Sequence, residues 1–156
     1  MDSKLKSGDL LHRSKGLVQH AGVYLGNGLV LHNQPSKGAV ITPFSEYADN
    51  KEVKIVSTEL KDKPLMAGRI GDILANDSRY QLLNNNCEHL ASFLINGRKI
   101  SPQIQASITG LISAALVRSQ IKNGHWALWL AGGAIAGLIM HNTTQKYDFS
   151  IAPGTV

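Results

Sequence analysis

Residues 20–32 read HAGVYLGNGLVLH, and this stretch decides the fold that we predict for the chain. The residues on both sides of Gly26-Asn27-Gly28 are rich in β-branched and aromatic side chains. A Gly-Asn-Gly segment between two such runs is a strong turn signal, so the stretch is predicted to form a β-hairpin. The hairpin carries one histidine in each arm, His20 and His32.

The length of the turn determines whether these histidines meet. A two-residue loop would place them on opposite faces of the hairpin. With a three-residue loop formed by residues 26–28, Leu25 faces Leu29 and Gly22 faces His32. The two histidines are then diagonal neighbours on one face, within side-chain reach, and the glycine leaves room between them. We predict this second form, because the last glycine of the loop suits the left-handed position that closes it.

Cys87 is the only cysteine of the chain, so neither an intrachain disulfide nor a CxxC-type zinc site can form. It follows three asparagines (residues 84–86), which are good helix N-caps, and residues 87–96 have the apolar spacing of a helix that ends at Gly97. Backbone N–H groups and the helix dipole at such a start favour a thiolate and can stabilise an oxyanion. We therefore interpret Cys87 as a nucleophile, although a lone cysteine is most often a small buried hydrophobe.

A nucleophilic cysteine needs a base, and the chain contains six histidines. His89 points about 200° away from Cys87 around the helix, so it is expected either at the helix surface or in a supporting position behind the site. His20 and His32 on one hairpin can instead provide a base and its orienting partner. The alternative for each of them is a polar strand residue that faces solvent.

The remaining sequence predicts an α+β fold. We expect strands at residues 8–12, 17–25, 29–33, 39–42 and 53–56, and helices at 64–75 and 87–96. The segments 104–117 and 126–140 are apolar, and the second, with 15 residues, is shorter than the roughly 20 residues that span a bilayer. They are expected either to pack as a buried helical hairpin or to associate with a membrane, with Trp126 and Trp129 near the interface.

Composition narrows the classes of partner. The 156 residues carry a net charge of +5, which favours anionic partners, but the basic residues are too scattered for a nucleic-acid site. The first six residues lack the apolar core of a signal peptide, so we expect a cytoplasmic protein, with membrane association as a further option. No metal or cofactor is expected. We place a catalytic domain at residues 1–101, an apolar helical hairpin at 102–142 and a C-terminal tail at 143–156.

Three motifs resemble those of the lecithin:retinol acyltransferase (LRAT) family, which includes the H-rev107-like phospholipases/acyltransferases. Residues 20–32 resemble its histidine motif, Gly8-Asp9-Leu10 its Gly-Asp opening, and Asn86-Cys87-Glu88-His89 its Asn-Cys-Glu-His box. The similarity covers residues 8–97 in outline. It implies a circularly permuted NlpC/P60 papain-like domain, in which a small antiparallel sheet packs on the nucleophile helix and apolar helices follow.

The resemblance also implies an activity. The chain would be a thiol enzyme acting on acyl esters, often of phospholipids, with Cys87 forming a thioester, His20 as general base and His32 as the orienting third member. Its partners would be a lipid or acyl-ester substrate and a membrane surface. Further candidates for supporting the site or its oxyanion are Asn86, Gly22 and Tyr24.

Two alternatives stay open. Residues 80–100 also resemble the cysteine box of the PPPDE family of permuted ubiquitin/SUMO isopeptidases, which favours a peptidase or amidase acting on isopeptide bonds or peptidoglycan. The other alternative is a non-catalytic protein with a degenerate site that binds a membrane or a partner.

Overall fold

The computed structural model describes residues 4–35, 37–58, 63–75, 87–121 and 125–154. The chain divides into two compact units. The first comprises residues 1–15, 19–100 and 146–156, and the second comprises residues 16–18 and 101–145. Within the described ranges there are six strands and five helices, which confirms the predicted α+β class.

A six-stranded antiparallel sheet forms the centre of the first unit, with the strand order β4-β3-β2-β1-β5-β6. The strands are β1 (Leu10–Lys15), β2 (Val18–Gly26), β3 (Leu29–Gln34), β4 (Gly38–Pro43), β5 (Val53–Val56) and β6 (Phe149–Ile151). The arms of the predicted hairpin are β2 and β3. Strand β6 comes from the segment that we expected to be a tail, and it pairs with β5 at the edge of the sheet.

The hairpin has the predicted register at the histidines but not at its turn. Gly22 faces His32, as predicted. The three-residue loop is wrong, because Leu29 faces Gly26 rather than Leu25, and a β-bulge between Tyr24 and Gly26 supplies the odd residue. The turn itself is Asn27-Gly28, with φ values of 51° and 76°. Two consecutive positive φ values match the twist of the flanking strands, so the extra residue is accommodated in the strand instead.

Separate apolar cores cover the two faces of the sheet. On one face, Ala21, Val23 and Leu31 pack against helices α2 (Lys63–Ala75) and α3 (Cys87–Asn96). The bounds of α3 agree with the prediction, and its end is capped by Gly97, with φ 70° and an N–H that donates to the carbonyl of Phe93.

On the other face, Tyr24 and Val30 pack with Leu11 against the short helix α1 (Phe44–Ala48). This helix was not predicted, because five residues are too few to show a helical period in the sequence. It buries two aromatic side chains, Phe44 and Tyr47. Of these, Tyr47 reaches the histidines.

The second unit contains the two long helices α4 (Pro102–Gln120) and α5 (Trp126–Thr144), which pack against each other. Their backbones touch at glycines. A Cβ on Gly110 would lie 2.1 Å from the carbonyl oxygen of Gly133, and one on Gly137 would lie 2.2 Å from that of Ala106. Gly133 meets Gly110 and the later Gly137 meets the earlier Ala106, so the two helices are antiparallel.

The apolar side chains of this helical hairpin lie mostly on its outside. The two helices pack as a hairpin, but no residue of α5 is buried, so the alternative of a buried hairpin is wrong in its burial. Exposed apolar residues include Ile112, Leu116, Leu128 and Met140. None of the helices in the described ranges has the length and hydropathy that a membrane crossing requires.

Candidate active site

His20 and His32 form a buried, hydrogen-bonded pair. Nε2 of His20 lies 2.9 Å from Nδ1 of His32, and Nε2 of His32 lies 3.1 Å from Oγ1 of Thr42 on β4. Only 5% of His20 and 2% of His32 is exposed. The predicted approach of the two imidazoles is therefore confirmed, and neither faces solvent. The hydrogen bond uses Nε2 of His20 and leaves its Nδ1 outside the pair.

Tyr47 holds this pair from α1. Its ring stacks on the imidazole of His20 with 5.5 Å between centroids and meets that of His32 edge-on at 5.2 Å. Its hydroxyl lies 2.7 Å from the carbonyl oxygen of His20 and 3.0 Å from that of Leu11, and the two carbonyls share its single proton. A Cβ on Gly22 would lie 2.8 Å from the tyrosine ring. Glycine at this position therefore makes room for Tyr47, rather than for the two imidazoles alone as we expected.

The surroundings keep both imidazoles neutral. Burial, followed by the neighbouring His32 and Arg13, lowers the pKa of His20 from 6.5 to about 3. Burial and Arg13 lower the pKa of His32 to about 4. A neutral imidazole has one N–H donor and one lone pair, so at neutral pH each histidine can both donate and accept a hydrogen bond.

Cys87 is the first residue of α3 and lies beside the strand that carries His20. Its Sγ is 3.9 Å from the carbonyl oxygen of Gln19, and the backbone N–H of Ala21 also interacts with it. Strand β2 pairs with β3 from Gly22 to the turn. Gln19 and Ala21 precede Gly22, so the thiol contacts β2 just before the paired part of the strand begins. The thiol thus contacts both residues that flank His20.

Burial raises the pKa of the Cys87 thiol, and the charge of Glu88 adds to the effect. The N–H groups of Ala21, Glu88 and Cys87 lower it, but by less than burial raises it. The expectation that the helix start favours a thiolate is therefore wrong for the resting site, because desolvation penalises the charged form more strongly. At rest, Cys87 is a neutral thiol that donates to the carbonyl of Gln19, and His20 and His32 are neutral imidazoles.

The other predicted residues have different places. The hydroxyl of Tyr24 accepts the N–H of Gly28 at 3.0 Å, so it supports the turn of the hairpin. Asn86, with the two asparagines before it, lies outside the described residues. His89 is buried, as are all of the first five residues of α3, so of its two expected positions the helix surface is wrong.

The model of the NlpC/P60 family matches residues 1–58. This match supports the NlpC/P60 superfamily. It contains His20 and His32 and ends before Cys87, so it covers the histidine hairpin but not the helix that begins at Cys87. At this level the match supports a thiol hydrolase of the papain-like type, and it does not separate acyltransferases from peptidases and amidases. No curated protein matches the chain.

Sequence reasoning missed two residues that contact the histidine pair, Thr42 and Tyr47. Thr42 faces Val30 in the β3–β4 register, which places it diagonally from His32, but nothing in the sequence fixes that register. Tyr47 lies on a helix too short to predict. Within the described ranges, no three His, Cys, Asp or Glu side chains are close enough together to hold a metal ion.

Proposed function

We propose that the chain is a cysteine-dependent acyltransferase or hydrolase that acts on acyl esters through a thioester on Cys87. The observation that carries this proposal is the contact of the Cys87 thiol with both neighbours of His20, whose imidazole is hydrogen-bonded to His32. In this reading the histidines precede the nucleophile because the papain-like domain is circularly permuted.

In the proposed mechanism, His20 is the general base and the thiol is deprotonated only as it reacts. The proton of Sγ passes to Nδ1 of His20 while Sγ attacks the ester carbonyl carbon and a C–S bond forms. The backbone N–H of Cys87 stabilises the carbonyl oxyanion. The ester C–O bond then breaks, and the leaving alkoxide takes the proton from His20. Water or an acceptor alcohol or amine, deprotonated by His20, next attacks the thioester, and Cys87 recovers its proton when the thiolate leaves.

The thiol of Cys87 and the imidazole of His20 are both neutral at rest, which is why the proposed proton transfer accompanies the attack. Burial raises the pKa of the thiol and lowers that of His20 to about 3, so a stable thiolate–imidazolium pair is not expected before substrate binds. When an imidazolium forms in the transition state, the lone pair on Nδ1 of His32 can accept its Nε2–H. His32 is thus the orienting third member.

A lipid substrate is supported by the helical hairpin of the second unit. Its two helices carry one residue that is charged at neutral pH, Arg118, and many exposed apolar side chains. Arg118 lies 4.9 Å from the ring of Trp126, a pair suited to the polar-apolar interface of a bilayer. We propose that this hairpin binds the surface of a membrane and keeps the catalytic unit near phospholipid.

Trapping the acyl-enzyme tests this function. The protein is mixed with phosphatidylcholine vesicles or a p-nitrophenyl ester, quenched in acid and weighed by mass spectrometry. We expect a fatty acyl adduct on the peptide that contains Cys87, and none with Cys87→Ala. Full activity of Cys87→Ala on either substrate would overturn the proposal.

The rival enzyme class is a peptidase or amidase, which the superfamily match favours as much as an acyltransferase. Offering a ubiquitin-type isopeptide and peptidoglycan fragments in the same assay separates the two, because the mass of the adduct identifies the acyl group. A protein that forms no adduct with any of these substrates would instead be a non-catalytic binding protein.

A further inference from the structure

The groups around His20 form a row that crosses three strands: Thr42 on β4, His32 on β3 and His20 on β2. The two distances along this row are 3.1 Å and 2.9 Å, and all three side chains are buried. Both imidazoles are neutral, so each has one N–H and one lone pair, and the protons of the row must be arranged together.

Two arrangements satisfy these distances. In the first, the N–H of His32 is on Nε2 and donates to Thr42, while its Nδ1 accepts Nε2–H of His20. The lone pair of His20 is then on Nδ1. In the second, every bond is reversed: Thr42 donates to Nε2 of His32, Nδ1–H of His32 donates to Nε2 of His20, and His20 carries its proton on Nδ1. Only the first arrangement leaves a lone pair on Nδ1 of His20.

We propose that Thr42 is a positioning residue whose hydroxyl accepts the Nε2–H of His32, which allows His20 to keep the tautomer with its lone pair on Nδ1. The inference rests on the proposed function, in which that lone pair takes the proton of Cys87. Without an oxygen at residue 42, the first arrangement would bury an N–H donor that has no acceptor. Leaving a donor unsatisfied is costly, so the second arrangement would take over.

The tautomers can be read without any substrate from the nitrogen chemical shifts of ¹⁵N-histidine-labelled protein near neutral pH, with assignments from His20→Gln and His32→Gln. In the wild-type protein we expect both imidazoles to be protonated on Nε2. In Thr42→Val, which keeps the shape of the side chain, we expect the proton of both to move to Nδ1. Thr42→Ser keeps the hydroxyl and should restore the wild-type pattern.

The second readout is the rate at which iodoacetamide alkylates Cys87. Thr42→Val should lower this rate about tenfold or more, and Thr42→Ser should stay within about twofold of the wild type. The inference would be overturned if either imidazole of the wild-type protein were protonated on Nδ1. It would also be overturned if Thr42→Val kept the wild-type tautomers or the wild-type alkylation rate. A wild-type spectrum with a proton on Nδ1 would overturn the inference even if Thr42→Val does not fold.

The two proposals can fail separately. If the wild-type protein has both protons on Nε2 but forms no acyl adduct with any substrate, the proposed function fails, while the role of Thr42 in setting the tautomers is still supported by its variants.

Discussion

Nε2 of His20 lies 2.9 Å from Nδ1 of His32, so the buried partner of His20 is an imidazole and not a carboxylate. A carboxylate in the place of His32 would stabilise a protonated base, whereas a buried neutral imidazole does so only weakly. Both His20, which we propose as the base, and the Cys87 thiol are therefore uncharged at rest. The reactivity of Cys87 should therefore depend on a bound substrate. In the proposed mechanism, the oxyanion that forms on the substrate carbonyl compensates for the positive charge of the imidazolium.

Gly22→Ala should destabilise the protein by about 1–3 kcal/mol. The new Cβ would lie 2.8 Å from the ring of Tyr47 and 2.9 Å from the Val30 side chain, and both are buried. Urea denaturation measures the loss. Gly68→Ala on α2 is the control: its Cβ would meet nothing within 4 Å, so it should be neutral or stabilise by up to about 1 kcal/mol. Equal losses in both variants would contradict the predicted clash.

Tyr47→Phe should keep the stacked ring but remove the hydroxyl that donates to the carbonyl of His20. We expect a loss of about 1–3 kcal/mol in stability and a slower formation of the acyl-enzyme, because the strand carrying the base loses a buried anchor. Tyr24→Phe is the matched control, since its hydroxyl binds the turn at Gly28. It should cost stability without slowing acylation, and a slower rate in this control would contradict the assignment.

Acid should destabilise the fold before most carboxylates titrate. The folded protein holds His20 and His32 neutral down to a pKa of about 3 and about 4, whereas the unfolded chain protonates them near 6.5. The unfolded state therefore binds more protons, and the stability contributed by these groups is complete above pH 6.5 and falls as the pH drops toward 3. Urea denaturation at a series of pH values measures the slope, which should be shallower in the double variant His20→Gln/His32→Gln. The same slope in both proteins would contradict the prediction.

Gly133→Ala should weaken the packing of α4 on α5. The added Cβ would lie 2.4 Å from the Cβ of Ala114 and 2.5 Å from the carbonyl oxygen of Gly110, so the helices must separate, at a cost of about 1–3 kcal/mol. The neighbouring Gly132→Ala would meet nothing within 4 Å and should not weaken the contact. Thermal denaturation followed by circular dichroism compares the two variants, and identical curves would argue against close packing at Gly133.

The facing of Gly22 and His32 could be predicted because strand periodicity and turn chemistry act over a few residues. The position of the odd residue could not be predicted. A three-residue loop and a two-residue turn preceded by a bulge give the same facing, and only the fit of the turn to the strand twist separates them. The bounds of α3 were predictable from its apolar spacing and from Gly97.

Features that depend on distant segments could not be predicted. Tyr47 reaches His20 from a five-residue helix, and Thr42 reaches His32 through the register of another strand pair. The raised pKa of the Cys87 thiol arises from burial under the sheet, and the helix start visible in the sequence predicts the opposite direction. The close contact at Gly110 explains why α4 and α5 leave their larger apolar side chains outside.

The spacing of the site along the chain has a consequence for how the protein folds. His20 and His32 are 12 residues apart, whereas the contact of Cys87 with the carbonyl of Gln19 joins residues 68 positions apart. Short loops close at a lower entropic cost than long ones, so the hairpin should form early and α3 should dock late. A folding intermediate would then contain the paired imidazoles before Cys87 reaches the strand that carries His20. The newly made chain would therefore lack the proposed active site until one of its last folding steps.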